Sequence, residues 1–398
     1  MPPSPFKFLE ALKPDRSSMG IEITDHSIKI SKVLIKPGKT ALIQHVDSDR
    51  LPVQTMEEGR IKEPLRVIQS LQTMLARMNA APKYTHLVLP SQLVTVRFLK
   101  LPDIPLKDLA KLVDFEIKHH IRLPFDNPLY DFVKLSGTEN KLKRIWKRRG
   151  KEGKTAFDYE ALRQAAVSKE SGLEFGSGRG LFDEPLLSET AEAEARQCDV
   201  MLVAAPKDLV DEYLEIMKSC NIKVTSMEIK AFSLYRLLLA TTIIPIKGTF
   251  LIVDLNESAA DLSIFRGDQL KITRHVPVHF SSSPAAANDN SSLDNLFAEF
   301  SDPEADFRNS CSDLSHELER LMNFYKYSLN NRDEEFEGLV LSGDIPRLDE
   351  IKQYLSTLLS VPVSLFQTDE LYGLHKGIGH IVPAFAVPLG LALRGSEV

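Results

Sequence analysis

The strongest constraint on the fold of this chain is a unit that occurs twice. From Phe250 to Phe265 the sequence reads FLIVDLNESAADLSIF: Leu251, Ile252, Val253 and Leu255 lead up past Asp254 to a polar tip at Asn256, and Leu262, Ile264 and Phe265 return. Gly267-Asp268 then turns the chain into Leu270 to Val278. Short apolar runs separated by polar turns predict a three-stranded antiparallel meander. The same shape stands near the start: Gly20 to Ile23, the tip Thr24-Asp25-His26-Ser27, Ile28 to Ile35, a Pro37-Gly38 turn, and Thr40 to Val46. Two copies of one unit, about 230 positions apart, predict two similar halves with a cleft between them rather than one continuous sheet.

The tips are where chemistry is expected. A hairpin whose polar tip follows a buried acidic strand offers backbone N–H groups and hydroxyls to a phosphate, while the acid orients hydrated Mg²⁺. Two such tips facing each other would hold a nucleotide's phosphates. A plain meander with a solvated turn has the same local pattern, and the duplication separates the two readings.

At these residues the chain resembles a known group. The duplicated hairpin is similar to the paired phosphate loops of the actin, sugar-kinase and Hsp70 superfamily, and finer features resemble the PilM family of type IV pilus assembly proteins, which are actin-like and related to FtsA. The matching segments are Gly20 to Lys29 (GIEITDHSIK), Asp114 to Asp131 (DFEIKHHIRLPFDNPLYD), Val203 to Val210 (VAAPKDLV), Met227 to Leu234 (MEIKAFSL), Leu341-Ser342-Gly343 and Val382 to Gly395. They fall in the family's order. The resemblance implies an α/β, actin-like, two-lobed fold with duplicated β-meander halves and an inserted small α/β subdomain. It also implies ATP with Mg²⁺ in the cleft, with Glu22, Thr24, Asp25, Ser27, Lys29, Asp254, Asn256, Ser258, Gly343 and Asp344 as nucleotide-site positions and Glu22 and Asp254 holding Mg²⁺ through water.

Four departures from the family's pattern bear on that cleft. Glu22 and Thr24 stand where the first phosphate strand carries Asp and Gly, Asn256 replaces a second Gly, Gly343-Asp344 replaces a Gly pair, and Phe280-Ser281-Ser282 replaces another. Glycine lets backbone approach an anion without a Cβ in the way. Their loss implies ATP binding that is weakened or gone, and no catalytic residue is assigned.

The remaining chain is read around this frame. Residues 1–18 form a terminal arm; 19–102 and 228–247 form the first lobe; 103–227 form the inserted subdomain; 248–398 form the second lobe. Leu65, Ile68, Leu71, Leu75 and Met78 give a helical stripe packed on the first sheet, and Leu106, Leu109, Val113 and Ile117 give another. The strand Ile222 to Met227 is grouped with the inserted subdomain. Inside that subdomain, 137–197 is a charged insert with a basic block around Trp146 and an acidic block from Asp183 to Glu194; 281–312 is a second flexible insert, rich in Ser, Ala and Asn.

The chain has 398 residues and a net charge of −6, which argues against a nucleic-acid protein, and its three scattered cysteines suit a reducing compartment. No run approaches the roughly 20 apolar residues of a membrane span. The expected location is cytoplasmic, reaching the inner membrane through partners. The resemblance implies a scaffold that binds the short cytoplasmic N-terminal peptide of an inner-membrane PilN-like protein, with Val94 to Leu101 and Leu106 to His120 as candidate groove walls. The alternatives are an ATPase of the same superfamily and a cytoplasmic component of a type II secretion platform.

Overall fold

The computed structural model describes residues 16–35, 41–78, 82–135, 197–241, 248–280, 302–366 and 382–396. The N-terminal arm to residue 15, residues 137–196 of the charged insert with Trp146, and residues 281–301 of the second insert lie outside the described residues. Contacts within the chain define two units, Met1–Val94 with Asp208–Val398, and Thr95–Lys207.

The large unit begins with the first meander: β1 (Arg16–Ile23), β2 (Ser27–Ile35) and β3 (Leu42–Arg50), antiparallel throughout, with Glu22 opposite Lys29 in the β1–β2 register. A small ribbon, β4 (Met56–Glu57) and β5 (Arg60–Ile61), leads to helix α1 (Pro64–Arg77), which starts on a proline at its first turn. The helix buries Val67, Ser70, Leu71, Met74 and Met78, while Leu65 is 72% exposed. The expected stripe is therefore rotated around the helix. Its direction is fixed in part by Ser70, whose hydroxyl donates to Asp49 of β3 at 2.6 Å, a bond that a count of apolar residues cannot see. Strand β6 (Tyr84–Val88) follows, parallel to β1.

The smaller unit consists of β7 (Thr95–Pro102), helix α2 (Leu106–His119), β8 (Pro128–Lys134) and β9 (Gln197–Pro206). Its sheet runs β7-β9-β8, antiparallel. Leu109, Leu112 and Val113 of the helix bury against Leu101, Cys198, Val200 and Leu202, which gives this unit a core of its own.

Back in the large unit, α3 (Lys207–Ser219) leads to β10 (Val224–Glu228) and α4 (Lys230–Thr241). Strand β10 pairs parallel with β6 and completes the first sheet, so it does not belong to the smaller unit as the sequence suggested. A strand–helix–strand stretch does not specify which sheet its last strand joins. Here a five-residue strand, buried at Ser226, Met227 and Glu228, joins the sheet that already buries β6.

The second meander is β11 (Thr249–Leu255), β12 (Ala259–Arg266) and β13 (Gln269–Pro277). After α5 (Pro303–Asn323) come β14 (Phe336–Gly343), α6 (Leu348–Leu358), β15 (Val363–Leu365) and α7 (Val382–Leu393). Here 302–312 departs from expectation. These residues are the opening of α5 rather than flexible insert: Asp302 caps the helix by accepting from the Glu304 N–H at 3.0 Å, Pro303 follows, and Glu304 and Asp306 face the N-terminal dipole.

The two five-stranded sheets have one plan. The first runs β3-β2-β1-β6-β10 and the second β13-β12-β11-β14-β15: a meander, then two strands parallel to its first member. β11 is buried at every position, as befits the middle of a sheet covered on both faces. Helix α7 is apolar on all sides and lies against β1, β2, β6, α4 and β14, so it touches strands of both sheets.

His86 sits fully buried in β6, in the first sheet. Its Nδ1 is 2.7 Å from Ser226 Oγ, and Nε2 has no hydrogen-bond partner among the described residues. Burial pushes the imidazole down from its ordinary 6.5 to about 4. The unfolded chain takes up this proton below pH 6.5 and the fold only near 4, so His86 makes the fold fully stable above 6.5 and less stable as pH falls toward 4. The loss should be about 3 kcal/mol, at about 1.4 kcal/mol per pKa unit. Urea unfolding between these pH values should show this slope, and His86→Asn should flatten it by about one proton. An unchanged slope in the variant would show that His86 is not the group responsible.

Candidate functional site between the hairpin tips

The tips of the two meanders meet. His26 Nε2 lies 3.3 Å from Ser258 Oγ, His26 Nδ1 lies 3.8 Å from Glu257, and Arg50 at the end of β3 pairs with Glu257. Between them is a narrow pocket of about 50 Å³, lined among others by Glu22, Thr24, Asp25, Asn256, Ser258 and Lys230.

Each tip satisfies its own backbone. Thr24 Oγ1 accepts from the Ser27 N–H at 3.1 Å, while the Thr24 N–H donates to Ser27 O at 2.9 Å. In the other tip, Asn256 Oδ1 accepts from the N–H groups of Ser258 at 3.0 Å and Ala259 at 2.8 Å, and the Asn256 N–H donates to Ala259 O at 2.9 Å. Such short-range side-chain bonds are what Thr and Asn characteristically make in turns. Thr24 and Asn256 are two of the positions where glycine was expected, so their side chains do more than add bulk. They accept hydrogen bonds from the N–H groups of Ser27, Ser258 and Ala259 within their own turns. Asp25 is turned to the ribbon, where Oδ1 accepts from the Gly59 N–H at 2.8 Å.

Behind the tips lies a buried charge cluster that sequence reasoning missed. Lys230, at the first turn of α4, places its ammonium 2.9 Å from Asp254 Oδ2, 2.8 Å from Asp261 Oδ2 and 3.3 Å from Glu22 Oε1. All four side chains are at most 8% exposed. Asp254 also accepts from Ser342 Oγ at 2.7 Å, and Asp261 from His275 Nδ1 at 2.8 Å. Burial works against the charge on Lys230, but Asp254, Asp261 and Glu22 outweigh it and hold the ammonium's pKa well above the ordinary lysine value. Burial likewise opposes ionisation of Asp261, yet Lys230 and His275 keep it below the usual carboxylate range. Glu22 goes the other way, since desolvation outweighs the pull of Lys230 and Lys29 and raises its pKa.

Of the other expected site residues, Lys29 is buried and its ammonium meets Asp344 Oδ2 at 3.0 Å, which ties β2 to the loop after β14. Gly343 has φ +145°, and a Cβ there would lie 2.3 Å from Leu255 O, so this glycine is required by the chain's own backbone. Phe280, another replaced position, is buried in the second sheet's core near Phe307, and its N–H donates to Glu257 O at 3.0 Å. Of the expected residues, Glu22, Thr24, Asp25, Asn256 and Ser258 thus line the pocket itself, while Asp254 meets Lys230 behind it and Lys29 pairs with Asp344. Lys230, Asp261, His275 and His26 are added to them. One signal in the sequence pointed to the cluster: Asp254 and Asp261 lie in apolar strands of one buried hairpin, and buried carboxylates require a counter-charge.

The chain has an actin-like, two-lobed α/β fold. It is similar to a chain of the solved "PilM-PilN type IV pilus biogenesis complex", at 21% identity and a TM-score of 0.67, covering 96% of this chain and 99% of that one. Two further structures are more distant. The ethanolamine utilization protein EutJ from Carboxydothermus hydrogenoformans has a TM-score of 0.44 at 10% identity, over 96% of this chain and 91% of that one. A diol dehydratase-reactivating factor in its nucleotide-free form has a TM-score of 0.46 at 12% identity, over 96% of this chain and 100% of that one. No protein-family model matches the sequence, and no curated protein matches it.

Proposed function

We propose that this chain is a cytoplasmic, actin-like scaffold of a type IV pilus assembly machine, which binds the short N-terminal peptide of an inner-membrane PilN-like partner. The observation that carries this reading is the structural likeness to a chain of a PilM–PilN complex, end to end in both proteins. No described helix is long and apolar enough to cross a membrane, so on this reading the partner supplies the membrane link. The side-chain-capped tips at Thr24 and Asn256 support the associated expectation that nucleotide binding is weakened or lost.

The smaller unit offers a physical route to peptide binding. β7 is an edge strand among the described residues, and an edge strand presents unpaired N–H and C=O groups to an incoming extended segment. Phe98 on β7 is 42% exposed and Leu106 at the start of α2 is 47% exposed, apolar side chains that such a segment would cover. Titration of the full chain with a peptide from the cytoplasmic N-terminus of the inner-membrane pilus partner should give micromolar or tighter binding, about −8 kcal/mol. Phe98→Asp, at an exposed position, should weaken it at least about tenfold and leave the melting transition in place. Absence of binding to any such peptide would count against the pilus reading.

A further inference from the structure

We propose that Lys230 is a built-in cation that clasps the two halves of the large unit together without metal or nucleotide. It gathers anions from both halves: Glu22 from β1, and Asp254 and Asp261 from β11 and β12. An ammonium has three protons to donate, and three carboxylates stand at 2.8 to 3.3 Å from it. The match leaves little capacity for another cation. A hydrated Mg²⁺ needs acids facing open water-filled space, and here both expected metal-site acids, Glu22 and Asp254, stand against the lysine.

The anion side of the cleft is closed in the same way. Thr24 and Asn256 have taken the N–H groups of Ser27, Ser258 and Ala259, and Lys29 is paired with Asp344. The remaining pocket of about 50 Å³ is far below the roughly 300–1,000 Å³ of ordinary ligand sites. The residues therefore do not fit Mg²⁺ with a nucleotide. Lys230, held at the first turn of α4, does the joining that a bound cation would do. The clasp makes the relation of the two halves a fixed property of the chain, insensitive to nucleotide supply.

The test uses the full chain and Lys230→Met, which keeps the side chain's bulk and removes its charge. The wild type should show no change in urea midpoint or in amide exchange at Ser27, Ser258 and Ala259 when millimolar MgCl₂ is added with or without ATP. Lys230→Met should unfold at lower urea and exchange faster at those amides, and Mg²⁺ or Mn²⁺ should restore part of the loss by entering the freed carboxylate site. If that variant does not fold, Lys230→Met combined with Glu22→Gln and Asp261→Asn should fold and show no response to metal. A wild type stabilised by Mg·ATP, or a Lys230→Met protein with the wild-type midpoint and unchanged tip exchange, would overturn the clasp. If neither variant folds, the wild-type titration decides alone. The clasp does not rest on the pilus reading: a wild type that binds the partner peptide and also Mg·ATP sinks the clasp only, and one that binds neither sinks the pilus reading only.

Discussion

Glu228→Gln is expected to destabilise the large unit by about 3–5 kcal/mol, the usual cost of removing one partner from a buried ion pair. Glu228 is 1% exposed at the end of β10. Its two oxygens receive Arg236 in a bidentate pair, Nη1 to Oε1 at 2.7 Å and Nη2 to Oε2 at 3.0 Å, and Oε2 also receives Arg394 Nη1 at 2.6 Å. Arg394, 5% exposed, comes from the turn after α7, and Arg236 from α4 also donates to Gly390 O at 2.9 Å. One carboxylate thus joins a strand, a helix and the chain's closing segment. Glutamine keeps the shape but leaves two guanidinium groups close together, with a neutral amide that offers one acceptor and adds donors of its own. The coulombic term turns from attraction to repulsion, in a place where water cannot screen it. Arg394→Met should cost less, about 1–3 kcal/mol, because the bidentate Glu228–Arg236 pair stays balanced. Urea unfolding at constant m separates the two. If Glu228→Gln lies within about 0.5 kcal/mol of wild type, as at an ordinary surface site, the network is not what holds α7 in place.

The parts of this molecule that were legible in the sequence are those written in local pattern. Both meanders were read from runs of apolar residues and their turns, and their duplication set the plan of two similar halves. What escaped was set by tertiary partners. The stripe on α1 was misplaced because Ser70 is drawn inward by Asp49 on another strand. The strand Val224–Glu228 was put in the wrong sheet because nothing in five residues says which edge will receive them. The opening of α5 was missed for a different reason: its cap, Asp302-Pro303-Glu304, was readable, but the polar composition upstream was extended through it. At the cleft, the glycine losses were visible and their consequence was only half drawn. Bulk was inferred, whereas Thr24 and Asn256 act by accepting hydrogen bonds from their own turns. Lys230 lay inside a segment already singled out, and only the geometry shows that it points at three acids from two different strand systems.

Gly390→Ala provides a test in which two well-understood effects have opposite signs. In an exposed helix interior, Gly to Ala gains about 1 kcal/mol, because alanine loses less backbone entropy. Gly390 is in the interior of α7, but a Cβ there would lie 1.9 Å from Ser233 O of α4, a backbone atom that cannot swing aside. Ordinary contact distance requires the two helices to separate by more than an ångström, and Ser233 Oγ already holds them by donating to Val387 O at 2.6 Å. Overpacking of this kind costs about 1–3 kcal/mol and occasionally more, so the net result should be a loss of at least about 1 kcal/mol despite the better helix former. Gly20 makes the same demand from β1, where a Cβ would lie 2.0 Å from Pro388 O. Either substitution alone lets α7 retreat from the crowded neighbour. With Gly20→Ala and Gly390→Ala together, retreat from β1 is resisted at α4 and retreat from α4 is resisted at β1. The double variant should then lose more than the sum of the singles, by about 0.5–3 kcal/mol of coupling. Additive losses would mean that the helix slides along both neighbours freely, and a stabilised Gly390→Ala would mean that close approach to α4 is not what selects glycine there.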